Sequence, residues 1–462
     1  MTNRNRILAA LALALGASPL AAQATDAITT PEDSGSRVAT AEPETTTVAS
    51  SLTPRIVIQH LRPADQRGIA MFEAPKDDDI PFTGLRLDWS AAFTQQFQAL
   101  SHDNAAAVNP NASGVDQNAL MDIGWGFNNA AANLGLNVQL APGIRVALTT
   151  YLSSRHHQEA WVKDGYILMD ESPIDVPILN TAMEYLTVKV GHFEIDYGDA
   201  HYRRSDNGNA MHNPFVGNLI MDAFTTQVGG QVYFRNDMGL IAMAGVTNGE
   251  IKGDIRMPDD RSPAFLSKLG FDRQFSDDLR IRVMGSYFRQ DEAISNTLYS
   301  GDRAGSRYFL VLENPLATTT AQAWSGNLNP RFTSEVSAFM LNPYVELGGL
   351  ELFGTYEVAR GRTAEETDHR DWSQYAGDVV YRFLDNDALY VAGRYNLAEG
   401  ALPGIANDVS IDRVQLGAGW FVTPTVLMKG EWVTQSYNDF PTTDIRSGGS
   451  FDGFMVEGVI AF

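Results

Sequence analysis

From Leu85 onward, apolar and polar residues alternate one by one over much of the chain. Leu85, Leu87, Trp89, Ala91 and Phe93 fall on one side, and Arg86, Asp88, Ser90, Ala92 and Thr94 on the other. That is the two-residue period of a strand with one face fit for lipid and one for water. A second run sets Leu134, Leu136, Val138 and Leu140 against Asn133, Asn137 and Gln139, and Ala141-Pro142-Gly143 turns it into Ile144, Val146 and Leu148, with Arg145 and Thr149 opposite. The unit then recurs: two alternating runs, a tight polar turn, a long irregular connection. Short turns fall at Arg235-Asn236-Asp237, Ser276-Asp277-Asp278, Gly348-Gly349, Asp385-Asn386-Asp387 and Thr423-Pro424. Long connections include Glu194 to Asp222, Asp291 to Arg331, Gly361 to Asp371, Leu397 to Ser410 and Ser436 to Ser450.

Short turns on one side and long loops on the other predict an all-β fold, a transmembrane antiparallel barrel over 85–462 with periplasmic turns and extracellular loops. Keeping every short turn on one side requires a strand near Trp161 to Asp170, and the tally is then about sixteen, an even number. A soluble sandwich would mix turn lengths at both ends, and a propeller would repeat a blade signature that is absent.

The ends agree. In the last strand, Phe454, Val456, Gly458, Ile460 and Phe462 share one face, with Met455, Glu457, Val459 and Ala461 on the other. An alternating strand that stops on a bare aromatic residue resembles the terminal strand of bacterial outer-membrane barrels; the resemblance implies that the barrel-assembly machinery reads Phe454 to Phe462. At the other end, Arg4 and Arg6 precede an apolar run from Ile7 to Leu20 and the small residues of Ala22-Gln23-Ala24, so 1–24 reads as a cleaved secretory signal. Residues 25–51, rich in Thr, Ala, Ser, Glu and Pro, cannot bury enough apolar area to order and form a periplasmic linker. Residues 52–84 mix Ile56, Val57, Ile58, Leu61, Met71 and Phe72 with Lys76-Asp77-Asp78-Asp79; they form either a plug in the barrel mouth or a strip along the periplasmic rim.

Composition removes other classes. No cysteine is present, which excludes disulfides, thiolate metal sites and cysteine nucleophiles. The formal charge of −22 argues against nucleic acid. Lipid and lipopolysaccharide are the expected surroundings, and no cofactor is implied.

A barrel this wide carries its function in the lumen. The polar faces bring Arg86, Arg145, Lys189, Arg280, Arg282, Arg382, Arg394, Arg413 and Lys429 inward, with Asp88, Glu351, Glu357, Glu431 and Glu457. Either these charges pair across neighbouring strands and keep the lumen wet, or Arg280, Arg282, Arg394, Arg413 and Lys429 form part of an anion path. Glu194 to Asp222 holds Asp196, Asp199, His201, Arg203, Arg204, Asp206, Asn207, Asn209, His212 and Asn213. It is the candidate for an inward-folded constriction, with an ordinary extracellular loop as the alternative. Asp206, Asn207 and Asn209 also have oxygens suited to calcium, at a spacing too common to mean much.

Glu159 to Asp170, then Leu186-Thr187-Val188-Lys189-Val190-Gly191-His192-Phe193 ending at Tyr197-Gly198, resembles the segment of phosphate-selective porins of the O and P type in which a strand precedes the constriction loop. Lys189, Gly191 and Phe193 carry the match, whereas Glu194, Asp196 and Asp199 depart from the basic character of a phosphate trap. The resemblance implies sixteen strands, a homotrimer and passage of anions.

The function expected is that of an outer-membrane porin passing small hydrophilic solutes or ions, with no chemistry of its own. A plugged structural or adhesive barrel is the alternative. An outer-membrane hydrolase is the least supported: His156, His157, His201, His212 and His369 fall in or near loops, but no Gly-x-Ser-x-Gly or His-Glu-x-x-His string occurs.

Overall fold

A computed structural model describes residues 58–76, 80–154, 160–203, 206, 208–221, 223, 225–251, 255, 257–299, 308–318 and 325–462. The expected leader and linker, Arg204, Asn207, His156 and His157 lie outside them. In chain order the strands are β1 (Arg86–Asp103), β2 (Gly126–Phe127), β3 (Ala131–Ala141), β4 (Ile144–Ser153), β5 (Ala160–Met169) and β6 (Leu186–Glu194). They continue with β7 (Thr226–Arg235), β8 (Leu240–Thr247), β9 (Ala264–Ser276), β10 (Leu279–Gln290), β11 (Glu335–Leu347) and β12 (Leu350–Arg362). The last five are β13 (Arg370–Phe383), β14 (Leu389–Gly400), β15 (Val409–Thr423), β16 (Val426–Asn438) and β17 (Ser450–Ala461). All but the two-residue β2 are eight residues or longer, which makes a wall of sixteen long strands.

Each long strand pairs antiparallel with its neighbours in sequence, and β1 closes the ring against β17 from Ala92↔Ala461 to Asp103↔Ser450. Its other edge meets β3 from Arg86↔Gln139 to Thr94↔Ala131. The offset between these two registers is the stagger a tilted barrel needs. Closure leaves no open edge, so the backbone polar groups of the strands are met within the sheet.

Alternation decides which residue faces lipid. Leu352, Val379, Val391, Leu416 and Met428 project outward, with Tyr185, Tyr381, Trp420 and Phe462 toward the short turns and Tyr287, Phe339, Tyr375 and Phe454 toward the loops. An apolar band flanked by aromatic residues is what a bilayer and its interfaces select. The expected strand before Asp170 is β5, and the final strand keeps the two faces read from its sequence. One short-side connection departs from expectation: 170–185 holds a helix, α1 (Pro177–Met183), started by Pro177 at a position where its missing N–H costs nothing.

Candidate functional site

The lumen holds two inserts. Residues 58–76 cross the short-turn end. Gln66 N donates to Pro424 O (2.9 Å) and Gln66 Nε2 to Asn386 O (2.7 Å), while Lys76 Nζ reaches Asp170 O (2.8 Å) and Leu186 O (2.9 Å) on the opposite side. Between these anchors, Phe72 packs edge-on against Tyr344 with ring centroids 5.3 Å apart, under the guanidinium of Arg282. Ala70 adopts φ 56°, which non-glycine residues rarely do, and turns its carbonyl to Arg280 Nη1 at 2.8 Å.

The second insert is the 195–225 connection between β6 and β7, including a single helical turn, α2 (Ala200–Arg203). Wall groups meet it all the way round. On β9 and β10, Lys268 Nζ lies 2.6 Å from Asp196 Oδ1 and 2.7 Å from Asp199 Oδ1, and Arg282 grips Asp199 with two hydrogen bonds of 2.8 and 2.9 Å. Across β12 to β14, Arg203 bonds Asp378 (3.0 Å) and Glu351 (3.2 Å), carboxylates that also take Arg394 and Arg382. Asp206 accepts from Lys163 on β5, from Asn133 on β3, and from the backbone N–H groups of Gly208 and Asn209. Lys429 on β16 donates to Ala210, Asn213 and Phe215 carbonyls at 2.8–2.9 Å and pairs with Glu457 at 2.7 Å. Glu431 accepts from Val216 N (2.8 Å) and Gly217 N (3.1 Å).

Arg282 joins the two inserts. One edge of its guanidinium holds Asp199, and its terminal nitrogens hold both Glu73 oxygens at 2.8 Å. Lys268 does the same more loosely, with Glu73 Oε1 at 3.2 Å. All four side chains are almost free of solvent contact. Buried guanidinium–carboxylate forks of this kind are strong only while every partner is in place.

Toward the long loops the lumen is apolar. Phe193, Ile195, Tyr197 and Ile220 pack with Tyr299, Tyr308, Leu328 and Phe332 of the 291–334 connection and with Phe451 of the wall. Tyr197 and Tyr299 hydroxyls converge on Glu357 (3.1 and 2.6 Å), and Tyr308 donates to Glu431 (2.7 Å). Burial holds the imidazoles of His201 and His212 well below the ordinary histidine range, aided by Lys268 near the first and Arg62 near the second, so neither adds a cation to the lumen. The oxygens of Asp206 are engaged as described, and among the described residues no group of three or more His, Asp or Glu is arranged to hold a metal.

No family model matches the chain, and no curated protein matches it in sequence. Solved structures do match in fold. The anion-selective porin of Comamonas acidovorans is 12% identical with a TM-score of 0.48, covering 82% of this chain and 100% of its own. The outer-membrane channel DcaP of Acinetobacter baumannii is 8% identical with a TM-score of 0.48, covering 82% and 98%. OprB of Pseudomonas putida is 11% identical with a TM-score of 0.47, covering 81% and 94%. At such identities the likeness is one of fold, and TM-scores below 0.5 make it a loose one.

Every wall cation read as inward from the sequence points into the barrel, Arg86 at its rim. Of the five set out for an anion path, Arg280, Arg282, Arg394 and Lys429 are ion-paired, and Arg413 is spent on Gln435 Oε1 and the carbonyls of Asn218 and Gly326. Three of these pairs run across neighbouring strands, to Asp272, Asp378 and Glu457, as the pairing alternative expected, while Arg282 reaches the inserts through Glu73 and Asp199. Sequence reasoning missed Lys163, Lys268, Asp272, Asp378 and Glu73. Lys268 was legible in principle, sitting in step with Ala264, Leu266 and Gly270 against Phe265 and Leu269. Its apolar inward neighbours hid it.

Proposed function

We propose that the chain is an outer-membrane channel for small hydrophilic solutes, with short turns in the periplasm and long loops outside, and that the form described here is its closed state. The observation that carries this reading is the charged wall. Buried ion pairs stabilise a folded interior poorly compared with apolar packing of the same volume. A lumen that faces Lys163, Lys268, Arg282, Arg382, Arg394 and Lys429 inward therefore fits a wall that meets water when the inserts leave. In this reading 58–76 and 195–225 are gates, their polar clasps exchangeable for water. A homotrimer is the assembly expected with it.

A second reading, a permanently filled structural or adhesive barrel, is favoured by the apolar cluster under the long loops. Planar-bilayer recording decides between them. The channel reading expects rare or small steps from the full chain and stable ohmic steps after deletion of residues 25–84. A folded, heat-modifiable barrel that conducts in neither form would establish the second reading.

A further inference from the structure

Among the described residues most lumen-facing cations have a carboxylate partner, and four that do not gather in one place. Arg62, Arg145, Lys189 and Arg235 have no carboxylate within 4.0 Å among the described residues. All four line one cavity of about 290 Å³ between the 58–76 segment, the wall from β1 to β7 and the 195–225 insert. Arg413 also lacks an acid, but a glutamine and two backbone carbonyls take its donors.

Part of their hydrogen-bonding capacity is unspent. Lys189 Nζ lies over the faces of Tyr166 (4.4 Å) and Phe193 (4.7 Å), and the buried Nε atoms of Arg62, Arg145 and Arg235 have no hydrogen-bond partner. Two of the guanidinium groups are fixed in place, Arg145 by His60 O and Arg62 by Gly68 O (3.0 Å) and Tyr202 O (2.7 Å). Of the acids at the same cavity, Glu73 and Asp196 are held by Lys268 and Glu194 by Lys163, which leaves Asp164, with Oδ1 unpartnered, as the one carboxylate without an ion pair among the described residues, against four such cations. Unsatisfied buried donors and uncompensated charge cost stability unless something supplies the missing oxygens.

Spacing narrows the ligand. Arg145, Leu168 and Lys189 face one another in a single row across β4, β5 and β6. The two cations thus stand two strand spacings apart, roughly 10 Å between backbones, with side chains that converge on the cavity. Tyr166, Tyr202 and Tyr233 supply apolar ring surface alongside. We propose that this cavity is a binding site for a small organic dicarboxylate, one carboxylate held at Lys189 and Arg235 and the other at Arg145 and Arg62. This rests on the channel reading for its role as a solute site, while occupancy is tested by itself.

The test is calorimetric titration of the full detergent-folded chain with succinate, inorganic phosphate and glucose in parallel. Saturable heat with succinate is expected, with weaker binding of phosphate and none of glucose. Lys189→Met and, separately, Arg235→Gln should each weaken succinate by about tenfold or more, the weight of one charged contact, with unchanged heat-modifiability showing that the barrel has folded. Absence of succinate heat from the folded chain, insensitivity to both substitutions, or phosphate binding as tight as succinate would each overturn the assignment. Conductance without succinate heat removes this site and leaves the channel standing; succinate heat without conductance does the reverse.

Discussion

Removing the Arg282 guanidinium, as in Arg282→Met, should release both inserts together. The side chain makes two bidentate pairs, with Glu73 and Asp199, and touches Asp272 Oδ2 at 3.0 Å. Stranding a buried carboxylate costs about 3–5 kcal/mol. Lys268 still lies 3.2 Å from Glu73 and 2.7 Å from Asp199, which offsets part of that for each acid. A net loss of about 3 kcal/mol for the 58–76 segment lowers its seated-to-released ratio by roughly 150-fold. The readouts are tryptic cleavage at Arg62, Arg67 and Lys76, which seating protects, and bilayer conductance. Expected are rapid cleavage, larger steps and a reversal potential displaced toward cations, because Glu73, Asp196 and Asp199 then meet water beside a single lysine. Glu73→Gln, which leaves the wall intact, should give the cleavage result alone in milder form. If Arg282→Met folds yet stays protected and silent, the clasp is not what holds the gates.

Two further outcomes test the long-loop side. Glu313 sits where the 308–318 stretch meets the outer loops, its carboxyl pushed up to about 7 by burial, with Ser325 Oγ at 3.2 Å. A raised carboxyl pKa favours the packed form fully below the free value near 4.5 and progressively less as pH rises toward 7. Loop closure should therefore weaken by on the order of 1–2 kcal/mol over that window after solvent screening, and Glu313→Gln should flatten the pH dependence of hydrogen exchange in 308–318. At Gly217 an added Cβ would lie 1.8 Å from Tyr308 Oη and 2.5 Å from Cζ, so Gly217→Ala should cost about 1–3 kcal/mol by overpacking, read as lower thermal stability and loss of protection at Tyr308.

The wall was legible in the chain because lipid enforces its outer face: Leu85, Leu87, Trp89 and the final Phe454 to Phe462 alternate with little exception, and tight turns mark the short side. The inner face follows a weaker rule. Where an insert covers the wall it is free to be apolar, as at Met340, Ile411 and Val433, and there alternation no longer separates inside from outside. Lys163 escaped notice for a different reason. A register shift between Thr149 and Thr150 pairs Asp164 and Val162 with successive residues of β4, leaving Lys163 as an extra residue aimed at Asp206, a local bulge that no periodic reading anticipates. The partners of Arg282 lie some eighty and two hundred residues away in sequence, so a pattern local to the strand could mark the arginine but not what it holds.

The anchorage of the 58–76 segment also fixes an order of events. Although it precedes β1, its berth includes late pieces of the chain, Arg280 and Arg282 of β10, Asn386 between β13 and β14, and Pro424 between β15 and β16, beside the earlier Asp170 and Leu186. None of the late pieces stands in position until the far strands have formed and β17 has met β1. The 58–76 segment, though it comes early in the chain, can therefore complete its docking only after the far strands are in place.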